Sequence, residues 1–279
     1  MPAHAARPRN ARASCHTWPM TIVLIASLAY LASAGLLARS VAHGRAAAPW
    51  LACALPALAL HVTYHLLAWR QAGGADMHFF ASLSLVGLGM ALLTTLFAAG
   101  GRMPALGVVV FPLAAAMFAA YALYGHKPPE LHDWRLLLHA WCALLAYSTL
   151  AIAALLAVML WAQERALRQR AFHRWLRALP PLTELETLLF RTIAVGFGLL
   201  TATLLTGVLF VSDLFAQHLV HKTVLSLLSW LAFGALLLGR WRLGWRGTIA
   251  VRWTLAAMAL LVLAFFGSQF VLELVLGRG

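Results

Sequence analysis

The chain has 279 residues, of which 63% are hydrophobic and only 10% charged, with a formal net charge of +13. Soluble domains average about 45–50% apolar and about 25% charged residues, so this composition excludes an ordinary water-soluble globule. The charge does not indicate nucleic acid either, because the arginines fall between apolar runs and form no basic stripe interleaved with aromatics.

Apolar runs long enough to cross a hydrocarbon layer of about 30 Å recur along the chain. The expected fold is all-α: a polytopic integral membrane protein in the lipid bilayer with eight transmembrane helices. In chain order the predicted spans are 20–38, 50–69, 79–98, 105–124, 137–161, 189–211, 223–239 and 251–273. Gly73-Gly74, Gly100-Gly101, Pro128-Pro129 and Pro180-Pro181 punctuate the connections. No long soluble domain fits between spans, so residues 20–279 read as one membrane domain without an internal repeat.

Residues 1–19 read as a basic N-terminal tail. Two alternatives attach to it: translation starting at Met20, or a signal peptide cleaved after Ala34 in "TIVLIASLAYLASA". An even number of spans places both termini on one side. Thirteen of the 21 basic residues, among them Arg39, Arg102, Arg165, Arg168, Arg240 and Arg246, lie on the other side. Eight lie with the termini, and three of these (Arg7, Arg9 and Arg12) belong to the tail. The positive-inside rule then makes the first side cytoplasmic and both termini periplasmic.

The longest cytoplasmic connection, "AQERALRQRAFHRWLRALPPLTELETLLFR", reads as a basic amphipathic helix on the membrane surface. Pro180-Pro181 would end it, and Thr183 with Glu186 would cap the sixth span. The three cysteines, Cys15, Cys53 and Cys142, are scattered and form no CxxC, so no disulfide framework is expected.

With this topology eight of the twelve histidines fall in the outer half or in outer loops. His61 and His65 share one face of the second span at i, i+4 spacing. His139 opens the fifth span and His221 the seventh, the latter after a polar knot with Asp213, Gln217 and His218. Imidazoles gathered at one depth suit a transition metal, a proton relay or haem iron. Few carboxylates accompany them, which weakens the first two. Trp134, Trp141, Tyr147, Trp230, Phe79 and Phe80 offer flat faces for a porphyrin, and Arg135 and Lys222 offer cations for propionates.

Three stretches then carry a resemblance. "HKTVLSLLSWLAFGALLLGRWRLGWRGTIAVRWTLAAMALLVLAFFG", His221 to Gly267, resembles the last two spans of the cytochrome c assembly family of CcsA/ResC-type membrane proteins. "LLLHAWCALLAYSTLAIAALLAVMLWAQE" resembles that family's span opening with an external histidine, and "LPPLTELETLLFRTIAVGFGLLTATLLTGVLF" resembles its HemX/YpjD-like branch. The similarity runs from about residue 50 to 273. It implies haem as cofactor or cargo, His139 and His221 as axial ligands, and His61 or His65 as the counterpart of an intramembrane histidine. It also implies partners among cytochrome c maturation or haem-biosynthesis proteins, and no nucleic acid.

Two departures shift the expected role from haem presentation toward an accessory or regulatory one. The loop from Val211 to Val220 contains no tryptophan, and "FGSQFVLELVLGRG" contains no histidine. The expected function is a haem-binding inner-membrane protein of cytochrome c assembly or haem homeostasis. It is not an enzyme, because no nucleophile–base or carboxylate pair is arranged for chemistry. The alternative is a permease-type subunit or small-solute transporter, which eight spans and a basic loop also suit.

The sidedness is open to direct test. Reporter fusions at 165–178 and 240–246 should report cytoplasm, and fusions at 126–133 and 213–220 the periplasm. The reverse pattern would put His139 and His221 on the inner side.

Overall fold

A computed structural model describes residues 10–43, 49–100, 103–124, 133–169, 179–210 and 220–267, with side chains from residue 20 onward. Every regular element among them is a helix: α1 (Asn10–His43), α2 (Leu51–Ala72), α3 (Phe79–Ala99), α4 (Pro104–Tyr124), α5 (Trp134–Arg168), α6 (Leu182–Phe210), α7 (Val220–Leu243) and α8 (Thr248–Val262). A π turn, Leu263–Gly267, continues α8. Eight of these segments are long and apolar enough to cross a membrane, as the sequence leads one to expect. The physical reason is that a helix satisfies its own backbone hydrogen bonds where lipid offers none.

The helices pack as two four-membered rings. In the first, α1 and α3 each contact both α2 and α4; in the second, α5 and α7 each contact both α6 and α8. Within a ring the backbones pack mainly on their neighbours, and diagonal helices meet through large side chains such as His61 of α2 and Phe118 of α4. The rings join where α3 lies on α5. At that seam Gly89 has no room for a Cβ against Ser148, and Ser148 Oγ reaches the carbonyl of Val86 at 3.2 Å and of Leu144 at 2.7 Å. Small residues at a helix seam let backbones approach, and this close packing is what associates helices in lipid.

Two expectations are corrected at the basic end of the bundle. α5 runs on through Arg168, so the first part of the expected surface helix is the last turns of a 35-residue span. Residues 170–178 lie outside the described residues. α6 begins at Leu182, seven residues before the expected start, and the backbone N–H groups of Glu184 and Leu185 donate to the Pro181 carbonyl. Thr183 and Glu186 therefore do not cap the helix; both lie inside it.

Glu186 has a different task. It is buried, it accepts from Arg240 Nη1 at 2.9 Å, and Arg246 Nη2 stands 3.7 Å away. Arg240 also donates to the Trp245 carbonyl at 3.3 Å and lies 4.7 Å over the Phe190 ring. A carboxylate so deep requires a paired cation. The ion pair fixes α6 to α7 and to the sharp α7–α8 turn, where Gly244 and Gly247 take positive φ of 67° and 58°.

Substituting Glu186→Ala leaves Arg240 without its carboxylate and should lower stability by about 2–3 kcal/mol. Arg246→Gln, at a side chain 66% exposed, should cost less than about 1 kcal/mol. Thermal unfolding in detergent reads both; equal losses would show that the pair does not organise this end.

Candidate functional site

Two histidine groups are distinct in the structure. His61 and His65 lie in the centre of the first ring, and all four of its helices meet there. Ser84 Oγ of α3 stands 2.9 Å from His61 Nε2 and 3.0 Å from His65 Nε2. Tyr30 of α1 places its hydroxyl 3.3 Å from His61 Nδ1. Phe118 of α4 stacks on His61 at 3.9 Å, and Tyr121 lies parallel to His65 at 4.9 Å. Both imidazoles are at most 2% exposed.

One hydroxyl has one proton. Ser84 therefore donates to one imidazole and accepts an N–H from the other. Either choice leaves His65 Nδ1 over, and it is buried without a hydrogen-bond partner. Both Nε2 atoms are engaged and both rings are covered by aromatics, so this pair reads as a cross-helix polar lock. The lock continues toward the α2–α3 connection: Tyr121 donates to Asp76 Oδ2 at 3.4 Å, and Asp76 Oδ1 accepts from the His78 backbone at 3.0 Å and meets His78 Nδ1 at 2.7 Å.

His139 belongs to the second ring. Its Nδ1 is 3.2 Å from Thr206 Oγ1 on α6. The Thr206 hydroxyl directs its proton to the carbonyls of Ala202 and Thr203, at 2.9 and 3.0 Å. It is therefore an acceptor toward His139, which places the imidazole proton on Nδ1 and the lone pair on Nε2. The ring also lies close against Gly207, where a Cβ would stand 3.2 Å from Cε1. A side chain at 207 would displace the imidazole.

His221 is exposed in the first turn of α7. Lys222 Nζ sits 5.9 Å from the Phe265 ring of the π turn, and Arg135 lies 5.6 Å over Trp134. No hydrogen bond or ring contact joins His139 to His221, whose helices are diagonal in the ring. Asp213, Gln217 and His218 lie outside the described residues.

The aromatics divide. Trp134 and Trp141 are exposed, 64% and 39%, near the start of α5. Tyr147 donates to the Leu261 carbonyl at 2.6 Å and packs on Phe265 and Phe266, so it anchors the π turn. Trp230 is corrected out of the group: it stacks on Phe197 at 5.5 Å and donates to Thr201 Oγ1 at 2.9 Å, inside the α6–α7 seam. Tyr30, Ser84, Thr206 and Asp76 were not singled out from sequence. A lone hydroxyl in an apolar run carries no signal of what it faces.

These features define a class: a multi-pass, all-helical membrane protein whose polar side chains are gathered at a few internal points and at helix ends. The chain belongs to the cytochrome c assembly protein family, whose model matches residues 49–276. It is 37% identical over 142 residues to the inner membrane protein YpjD of Escherichia coli strain K12, covering 50% of this chain and 53% of that one. It is equally 37% identical over 142 residues to a 28.8 kDa protein of the nifR3-like 5' region of Azospirillum brasilense, covering 50% and 52%. The chain thus spans about half the length of the curated relatives it matches. No solved structure matches it.

Ser84→Ala removes the hydroxyl shared by two imidazoles and should lower thermal stability by about 1–2 kcal/mol. Ser84→Thr, which keeps a hydroxyl, should cost less. An unchanged melting temperature for Ser84→Ala would mean that the two histidines do not depend on it.

Proposed function

We propose that the protein binds haem at the ends of α5 and α7 remote from the Glu186 ion pair, in the bacterial inner membrane with both termini periplasmic. There it serves cytochrome c assembly or haem homeostasis without catalysing a reaction. Family membership and the name of the inner-membrane relative support the setting. The observation that carries the site is His139. Its proton is held on Nδ1 by Thr206, which leaves Nε2 as a lone-pair donor for a metal. Metal-binding histidines ordinarily have the other ring nitrogen engaged in this way.

His221 supplies the second imidazole from the exposed first turn of α7. Arg135, one turn before His139, and Lys222, beside His221, supply cations for two propionates. Bound haem would supply an iron that neutral imidazole binds well, and His139 and His221 would hold it. His61 and His65 suit that task less well, since each Nε2 already has Ser84 as partner.

His139→Ala and His221→Ala should each convert a six-coordinate low-spin absorption spectrum to a high-spin or haem-free one. Added imidazole should partly restore the low-spin bands. Thr206→Val should weaken haem retention while leaving the fold intact. If His139→Ala and His221→Ala left the spectrum unchanged while His61→Ala or His65→Ala abolished it, the haem would belong to the first ring.

A further inference from the structure

At the basic end of the bundle, away from all the histidines above, α6 carries a graded stripe of chemistry. Glu184, Thr187, Arg191 and Val195 follow at three- and four-residue steps. Glu184 and Arg191, seven residues apart, lie within about 20° of one line and about 10 Å apart along the axis. The stripe forms one wall of a cavity of about 850 Å³, whose apolar side is supplied by Leu93 and Phe97 of α3. That volume is near the upper end of the range for small-molecule sites. No ion pair joins Glu184 or Arg191 to another described residue. Glu186, two positions on and turned to the bundle, is buried and doubly paired.

The level of the cavity follows from length. A 29-residue helix is about 43 Å long and exceeds a hydrocarbon layer of about 30 Å. With the excess of about 13 Å at the basic end, Glu184 in the first turn stands outside the hydrocarbon, Arg191 falls at its boundary, and Val195, 60% exposed, falls among the acyl chains. From water inward the order is carboxylate, hydroxyl, guanidinium, apolar wall.

We infer that this cavity holds one phospholipid with an amine-bearing headgroup of the phosphoethanolamine type. Its charges run in the matching order: the ammonium outermost on Glu184, the phosphate next on Arg191, an acyl chain along Val195, Leu93 and Phe97. A phosphatidylglycerol would satisfy Arg191 and leave Glu184 facing a neutral glycerol. Free phosphate would reach Arg191 and leave the apolar wall unfilled. The site is independent of haem.

Native mass spectrometry of the full chain in mild detergent, supplied in turn with phosphatidylethanolamine, phosphatidylglycerol and inorganic phosphate, tests this. One phosphatidylethanolamine should remain bound, about tenfold more tightly than either alternative. Arg191→Gln should weaken both lipids. Glu184→Gln should remove the preference for the amine-bearing lipid without weakening phosphatidylglycerol. Val195→Trp fills the apolar end with both charges intact and should expel the lipid; it decides the matter if Arg191→Gln does not insert. Arg242→Gln, which stacks on Trp241 at 4.5 Å outside the cavity, should change nothing. Equal retention of the two lipids by the unaltered chain, or unchanged binding in both Arg191→Gln and Val195→Trp, would overturn the proposal.

Discussion

Hydrocarbon offers no hydrogen-bond partner, and the organisation of this protein follows from that constraint. A polar side chain within a span must find its partner on another helix or on its own backbone. The hydroxyls of Thr95, Thr149, Thr192 and Thr254 take the second course, each bonding the carbonyl four residues back at about 2.8 Å. His61 and His65, buried in the middle of a span, instead bridge helices. Ser84 gives His61 and His65 a common partner, so α1, α2, α3 and α4 close around them. A buried carboxylate demands still more, and Glu186 draws in Arg240 and Arg246 from α7 and the following turn.

The two rings consequently differ in what their histidines can do. In the first, both Nε2 atoms are spent on Ser84, and aromatics cover the rings. In the second, Thr206 orients His139 from one nitrogen and leaves the other unspent, while His221 stands exposed one helix-diagonal away. The same residue type thus forms a polar lock in one ring and keeps a ring nitrogen unspent in the other. What separates them is whether the shared hydroxyl meets Nε2, as Ser84 does, or Nδ1, as Thr206 does.

Much of the fold was legible in the sequence because length and apolarity alone determine whether a helix crosses a membrane. The termini of spans two, three and four were read to within about three residues, helped by Gly73 and Gly100. Span ends at the basic side were misread for a physical reason. Glu164, Arg165, Glu186 and Arg191 look like the edge of a hydrophobic span, yet α5 and α6 continue beyond the hydrocarbon as helix. Glu186 is three residues from Thr183 and fits a capping box by spacing, but the helix already starts at Leu182, with the N–H groups of Glu184 and Leu185 on the Pro181 carbonyl. Side-chain destination was the harder part. Nothing in "FASLSLVGLG" says that Ser84 faces two histidines while Ser82 bonds the Met77 carbonyl at 2.8 Å. Likewise Trp230 looked suited to a porphyrin by residue type, and only packing shows that it belongs to a helix seam.

A haem titration of the purified full-length protein, followed by visible absorption, tests the central claim most directly. Saturation at one equivalent with the sharp bands of a six-coordinate low-spin haem is the result this account predicts. A spectrum that remains that of free or detergent-dissolved haem at every ratio would contradict it.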